Sequence, residues 1–262
     1  MARRIITLTT DFGSSDHFAG TMKGVILGIN SEISIVDISH EIHPFEVSEA
    51  AFVVAQAHSY FPKRTVHVVV VDPGVGTSRR PILVEAAGQY FIGPDNGVLS
   101  MVLAHHPHKV REITSERYFL KNVSRTFHGR DIFAPCAARL ASGIAAPRFG
   151  NLIDNALRMN FDKPTRTGKR AWTGSVLKVD RFGNLITNYH IDEFPHLHER
   201  PFSMQAGLQP VDKLASNYGE GPPGELFVIL GSSGFFEVSA NQASAAKMLG
   251  LTAGSPLDLT IY

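Results

Sequence analysis

Three groups of residues have types and spacings suited to proton chemistry on a small polar molecule. In VVVVDPGVGTSRR an apolar run from Val68 ends in Asp72, a Pro73-Gly74 turn, and then Arg79 and Arg80. A carboxylate accepts a proton and a guanidinium stabilises an anion, so an Asp and an Arg across a glycine turn can hold and polarise a small molecule. From spacing alone, the same two residues read more readily as a structural ion pair tying the turn to the next strand. His128, in TFHGRDIFAP, supplies a third group just before a helical pattern, where the positive end of the helix favours a neutral imidazole. Asp11, in TTDFGSSD, also ends a strand, and Asp37, in SIVDIS, lies close to the end of another.

Other chemistries fit less well. Gly74-Val75-Gly76 lacks the third glycine of a dinucleotide fingerprint and the lysine of a P-loop. The PILVEAA that follows reads as a strand, so no helix N-terminus faces the turn. Its glycines are expected to let the backbone turn tightly and approach a ligand closely. Among twelve histidines, His196 with His198 and the group Asp37, His40 and His43 have the residue types of a metal site. The first pair sits in a proline-flanked loop without an HExxH helix, and surface or capping roles are expected for these histidines. Cys136 is the one cysteine, which excludes an internal disulfide and a cysteine cluster. In DIFAPCAARLASG it reads as a small buried apolar residue of a helix.

Strand ends matter because ligands of open parallel sheets bind beyond the carboxyl ends of the strands. RIITLTTD, EISIVDIS and TVHVVVVD read as strands, and PILVEAA with QYFIGPD as a strand pair. Between them, FAGTMKGVILGIN places Phe18, Met22, Val25, Ile26 and Ile29 on one helical face, and VSEAAFVVAQAHSYF repeats with a helical period. GVLSMVLAHH and RDIFAPCAARLASG read as further helices, with KVREI a strand between them. This alternation predicts an α/β domain over residues 1–162, a mostly parallel sheet flanked by helices. The polar, basic stretch 163–170 reads as a linker. Residues 171–262 carry short strand patterns (TGSVLKVD, NLITNYHI, ELFVILG, FFEVSAN, PLDLTIY) with one brief helix near ASAAKMLG, which predicts a smaller all-β barrel domain.

Composition bounds the rest. The chain has 262 residues, 44% apolar and 19% charged, with net charge +1. Length alone allows one or two domains at roughly 150 residues each. The near-zero charge gives no footprint for nucleic acid or an anionic membrane. No run approaches the ~18 apolar residues of a membrane span. MARRIITLTTD lacks the apolar core of a signal peptide, so a cytoplasmic location is expected.

Six motifs in order along nearly the whole chain then carry a resemblance: TTDFGSSDHFAGTMKG, VVDPGVGTSRRPI, FIGPDNGVLS, TFHGRDIFAP, DRFGNLITN and GSSGFFEVSAN. Together they resemble the S-adenosylmethionine hydroxide adenosyltransferases, or adenosine-forming S-adenosylmethionine hydrolases, relatives of the fluorinase and chlorinase. The resemblance implies an N-terminal α/β domain, a C-terminal β-barrel and a homotrimer with its site at the subunit interface. It implies attack of water or hydroxide on the ribose C5′ of S-adenosyl-L-methionine, releasing adenosine and L-methionine, with no metal or redox cofactor. The catalytic set falls on Asp72, Arg79 and His128, with Arg80 a rival for the middle place. Asp11 falls on the ribose-binding position and Asp180 toward the methionine amino group. Phe182 and Asn184 fall toward the adenine, Ser232 on the methionine part, and Tyr218 where an aromatic packs on adenine. The halogenases carry tyrosine and threonine where this chain has Asp72 and Val75. The fluorinase also has an inserted loop that Gly76–Arg79 lacks, so the chain resembles the water-using branch.

Alternatives stay open at this point. A sensor that binds S-adenosylmethionine or adenosine without turnover predicts binding with no methionine release. A halide-using transferase predicts a 5′-halo-adenosine. A methyltransferase would leave S-adenosylhomocysteine, but no nucleotide-binding glycine fingerprint of that kind is present. The identity of the proton acceptor is also open.

Overall fold

The computed structural model describes residues 4–161 and 163–262. The first three residues, part of the stretch read as lacking a leader, and Asp162, the expected end of the first domain, lie outside them. The chain divides into two compact units, residues 1–159 and 160–262. Among the described residues no helix is long and apolar enough to cross a membrane.

The first unit runs β1 (Ile5–Thr10), α1 (Phe18–Ile29), β2 (Ser34–Ser39), α2 (Val47–Ala57), β3 (Val66–Val70), β4 (Pro81–Ala86), β5 (Gln89–Pro94), α3 (Ser100–His105), β6 (His108–Glu112), α4 (Ala134–Ala141) and β7 (Leu152–Ile153). The sheet order is β2-β1-β3-β5-β4-β6-β7. Parallel pairing is confined to β2-β1-β3-β5, and the rest is antiparallel. The reason for the switch is local. Ala87 and Gly88, both at positive φ, form a two-residue hairpin turn that folds β5 back along β4. The sheet expected to be mostly parallel is therefore mixed, with three parallel and three antiparallel pairings.

β3 shows how both faces are filled. Val66, Val68 and Val70 join Met22 and Ile26 of α1 and Cys136 and Leu140 of α4, while Val69 joins Val54 of α2 and Val102 of α3. Successive strand residues point to opposite faces, so an unbroken valine run serves two cores. Cys136 is buried, and burial pushes its thiol up to about 12, as a packing residue rather than a nucleophile requires.

His67 also lies inside, between Thr7 Oγ1 at 2.8 Å from its Nδ1 and the stacked ring of Phe91. Burial lowers its pKa from 6.5 to about 3, and the nearby His58 pushes in the same direction. A depressed histidine pKa means the unfolded chain binds the extra proton first. Its share of stability is complete above about pH 6.5 and is lost as pH falls toward 3. The melting temperature is thus expected to drop steeply over that window, and His67→Phe, which removes the titrating group, is expected to flatten the drop in a pH series of thermal melts.

The second unit contains β8 (Thr165–Arg166), β9 (Ala171–Val179), β10 (Leu185–His190), β11 (Phe202–Ala206), β12 (Gln209–Val211), β13 (Leu214–Ala215), β14 (Leu226–Leu230), β15 (Phe235–Ala240), α5 (Ala245–Leu249) and β16 (Pro256–Ile261). Thr165 and Arg166, within the stretch read as linker, pair with Thr173 and Trp172 of β9. The order β12-β11-β16-β9-β10-β15-β14-β13 brings β12 back against β14, so the sheet curls around one core that includes Tyr189, Phe236, Met204 and Leu259.

Candidate functional site

In the first unit, β1 and β3 are parallel neighbours with Thr10 opposite Val70, so Asp11 and Asp72 emerge at the same sheet edge. Beyond Asp72 the chain curls tightly. Val75 donates to the Asp72 carbonyl, Thr77 donates through both its N–H and its hydroxyl to the Gly74 carbonyl, and Arg79 N–H donates to the Thr77 hydroxyl. Gly76 has φ +78°, and a Cβ there would collide with the Arg125 carbonyl oxygen. Glycine is required by both shape and space. The curl returns Arg79 onto Asp72: Arg79 Nε lies 3.0 and 2.9 Å from the two carboxylate oxygens, and Nη2 also reaches Oδ2.

Arg79 has two further neighbours. Its guanidinium stacks over the Phe133 ring at 5.4 Å, and Nη2 lies 2.8 Å from His128 Nδ1. A guanidinium only donates, so His128 accepts on Nδ1 and its neutral ring carries the proton on Nε2. The His128 pKa is lowered, first by burial and then by the Arg79 charge, against the opposing pull of Asp72 and Asp131. Arg79 Nη1 is buried and makes no hydrogen bond among the described residues.

The segment holding His128 is not the plain helix that RDIFAPCAARL suggests. Pro135 has no N–H, and the Asp131 carbonyl instead accepts from Leu120 N at 2.9 Å. The first turn widens to a π-turn over Gly129–Phe133, closed by Ala134 N donating to the Gly129 carbonyl. The Asp131 carboxylate takes Ser124 N–H at 2.8 Å and pairs with Arg130, closing the loop around His128.

Asp11, Asp72 and His128 line one pocket of about 320 Å³, together with Asp16, Phe45 and Phe127. Burial raises the Asp11 pKa, Phe45 N–H lowers it from 3.0 Å, and Asp72 raises it again by repulsion. Arg80 points elsewhere, to Asp95 at 3.0 and 2.6 Å and to Asn155. The geometry thus separates the two arginines that sequence left as rivals. His43 is held by the buried Glu49, and His196 and His198 pair with Glu199 at the surface.

In the second unit, the DRFGN turn is organised by Asp180. Its carboxylate accepts from Phe182 N at 2.8 Å, Asn184 N at 2.9 Å and Asn184 Nδ2 at 2.8 Å. Gly183, at φ +86°, packs so closely on Ser244 that no Cβ fits. Phe182 is left 78% exposed at the tip. Asp180, Phe182, Asn184 and Tyr218 line a pocket of about 620 Å³ with Gln242 and Ser244. Ser232 stands on the exposed turn after β14, outside that lining, although a Cβ on its neighbour Gly231 would collide with the Glu237 carboxylate.

Glu237 was missed by sequence reasoning. It is buried within β15 and accepts a hydrogen bond from the Tyr218 hydroxyl at 2.9 Å. Burial raises its pKa, Tyr218 lowers it, and Asp180 raises it again; burial and Glu237 push the Tyr218 hydroxyl up to about 12. The available signal was an acidic residue inside the apolar strand FFEVSAN, a position that a charge rarely occupies without a partner. Phe45 and Asp16 were also missed, the first because its φ of +70° has no sequence signature.

Residues 6–150 match the family described as SAM hydroxide adenosyltransferase N-terminal domain, and residues 174–258 match SAM hydroxide adenosyltransferase C-terminal domain. An (R)-S-adenosyl-L-methionine hydrolase of Salinispora tropica is 37% identical over 260 residues, covering 97% of each chain. A fluorinase of Actinopolyspora mzabensis is 25% identical over 297 residues, covering 99% of this chain and 98% of its own. The crystal structure of an uncharacterized conserved protein from Thermotoga maritima superposes with a TM-score of 0.89 at 38% identity, covering 97% of this chain and 99% of that one.

Proposed function

The chain belongs to the SAM hydroxide adenosyltransferase family, and on that premise we propose that it hydrolyses S-adenosyl-L-methionine to adenosine and L-methionine, with Asp72, Arg79 and His128 activating the water. The observation that carries the residue assignment is the Asp72–Arg79–His128 network at the edge of a pocket lined by carboxylates. Closer identity to a hydrolase than to a fluorinase supports water as the nucleophile, as does a carboxylate at position 72.

The chemistry is an in-line substitution. A water oxygen bonds to C5′, the C5′–sulfur bond breaks, and its electron pair stays on sulfur, so methionine leaves as a neutral thioether. The proton lost by water passes to Asp72 and then to solvent. Asp72 is the better acceptor because the Nδ1 lone pair of His128 is already occupied by Arg79. His128 then holds the guanidinium in place. Arg79 lies behind the pocket lining, against Asp72 and His128, and its Nη1, unpartnered among the described residues, is the donor assigned to the attacking oxygen, to stabilise developing hydroxide character. Asp11, Asp16 and Asp72 give the pocket a negative lining that suits a sulfonium cation. The free lone pairs of Asp11 accept from the ribose diol. Phe182 and Tyr218 offer faces to adenine, Asn184 a hydrogen-bonding edge, and Asp180 with Ser232 polar contacts to the methionine part. Holding carbon, sulfur and oxygen in line accounts for roughly 7–11 kcal/mol in favourable cases. No metal or redox cofactor enters this scheme.

The proposal includes a homotrimer with each active site drawing on two subunits, and a cytoplasmic location. Light scattering of the purified chain tests the first. Products resolved by chromatography, with and without chloride and fluoride, test the reaction. Adenosine and methionine in equal amounts are expected under all three conditions. A 5′-halo-adenosine, S-adenosylhomocysteine, or tight binding without turnover would each replace the proposal with one of its rivals.

A further inference from the structure

Asp37 and His40 have the residue types of a metal site, yet the structure commits them to something else. Thr10 Oγ1 lies 2.8 Å from His40 Nδ1 and accepts a hydrogen bond from Phe12 N at 3.3 Å. The Asp37 carboxylate beside Nε2 only accepts, so Nε2 carries the ring proton and Nδ1 accepts from the Thr10 hydroxyl. Nε2 lies 3.1 Å from Asp37 Oδ1, off the line of an ideal hydrogen bond but with no other partner among the described residues. Asp37 Oδ2 is in turn held by Lys23 Nζ of α1 at 2.5 Å. The chain Lys23–Asp37–His40–Thr10 therefore ends on the residue immediately before Asp11.

The same two backbone segments are clamped at further points. Gly13 N donates to the His40 carbonyl at 2.7 Å, and Ile42 N reaches the Thr10 carbonyl at 3.4 Å. Phe45 N donates to Asp11 Oδ2 at 3.0 Å from a residue in the left-handed region, 69% exposed. That backbone conformation is unfavourable for a phenylalanine and persists only where its surroundings hold it. The hydroxyl of Thr10 is fully buried and faces His40 rather than the pocket, so it has no access to substrate.

We propose that Thr10 and His40, backed by Asp37, are positioning residues that aim the Asp11 carboxylate at the ribose. The inference rests on the reading of Asp11 as the ribose grip. With the relay intact, Asp11 has one oxygen fixed by Phe45 N–H and the other directed to the pocket. Without the Thr10 hydroxyl, His40 and Phe12 N lose their shared anchor, and the turn carrying Asp11 gains freedom.

The test compares binding of adenosine and 2′-deoxyadenosine by calorimetry, using the full chain. Hydrogen bonds to charged groups predict that wild-type protein prefers adenosine by about tenfold or more. Thr10→Val, which keeps shape and removes the hydroxyl, is expected to lose most of that preference, and His40→Ala likewise. Thr10→Ser is expected to retain it. Equal binding of the two nucleosides by wild-type protein would sink the reading of Asp11 itself. A wild-type preference that survives in Thr10→Val or in His40→Ala would overturn the relay while leaving Asp11 in place. If both variants fail to fold, the chain is a structural strut and the positioning role is overturned as well.

Discussion

Asp72→Asn lowers the rate of adenosine formation by about 10²–10⁴-fold, the range that follows loss of a positioned proton acceptor, while S-adenosyl-L-methionine still binds. The amide cannot take the proton of the attacking water. It also turns a donor toward Arg79, whose Nε now reaches both Asp72 oxygens. Breaking that nearly buried pair is expected to destabilise the unit by about 3–5 kcal/mol. Rates are therefore to be compared well below the melting temperature of the variant. A rate within tenfold of wild type would remove Asp72 from the chemistry and leave it the structural ion pair that its spacing alone favours.

Arg79→Met and Arg80→Met are expected to part company. Methionine at 79 keeps an apolar stem against Phe133 but removes every donor, and loss of one such electrostatic donor lowers kcat by about 10²–10³-fold. Methionine at 80 breaks the bonds to Asp95 and Asn155, away from Asp72 and His128. It is expected to lower the melting temperature and leave kcat near wild type. Steady-state kinetics with parallel thermal melts decide the matter. The reverse pattern would return the middle role to Arg80.

The difference between these two neighbours was hidden in the sequence because it depends on the return path of the turn. Strand ends were legible: the near-continuous apolar run of β3, buried on both faces, and the abrupt Asp-Pro-Gly that follows it already place Asp72 at a sheet edge. The DRFGN motif was legible as well, since an Asp ahead of a glycine turn accepts from nearby backbone N–H groups, here those of Phe182 and Asn184. What escaped was set by tertiary context. The strand pair across Ala87-Gly88 was legible, but the antiparallel addition of β6 to β4 and of β7 to β6 was not. The π-turn at Gly129–Phe133 depends on Leu120 N reaching the carbonyl that Pro135 cannot serve. β11 to β13 are short and punctuated by Gly207, Pro210 and Asp212, so no long period marks them. Phe45 became visible only through its partner Asp11, whereas Glu237 carried a signal as an acidic residue in an apolar strand, with its partner Tyr218 set by the fold. Asp37, His40 and His43 have the residue types of a metal site but were expected to serve surface or capping roles; their actual partners, Lys23, Thr10 and Glu49, were not legible.

The central claim is that solvent attacks C5′ with Asp72 as acceptor. Its most direct test is a reaction of the purified protein with S-adenosyl-L-methionine in ¹⁸O-labelled water, read by mass spectrometry of both products. One ¹⁸O in the adenosine 5′-hydroxyl, none in methionine, and no product from Asp72→Ala is the predicted result. Unlabelled adenosine would mean that the oxygen came from elsewhere, and would contradict the account.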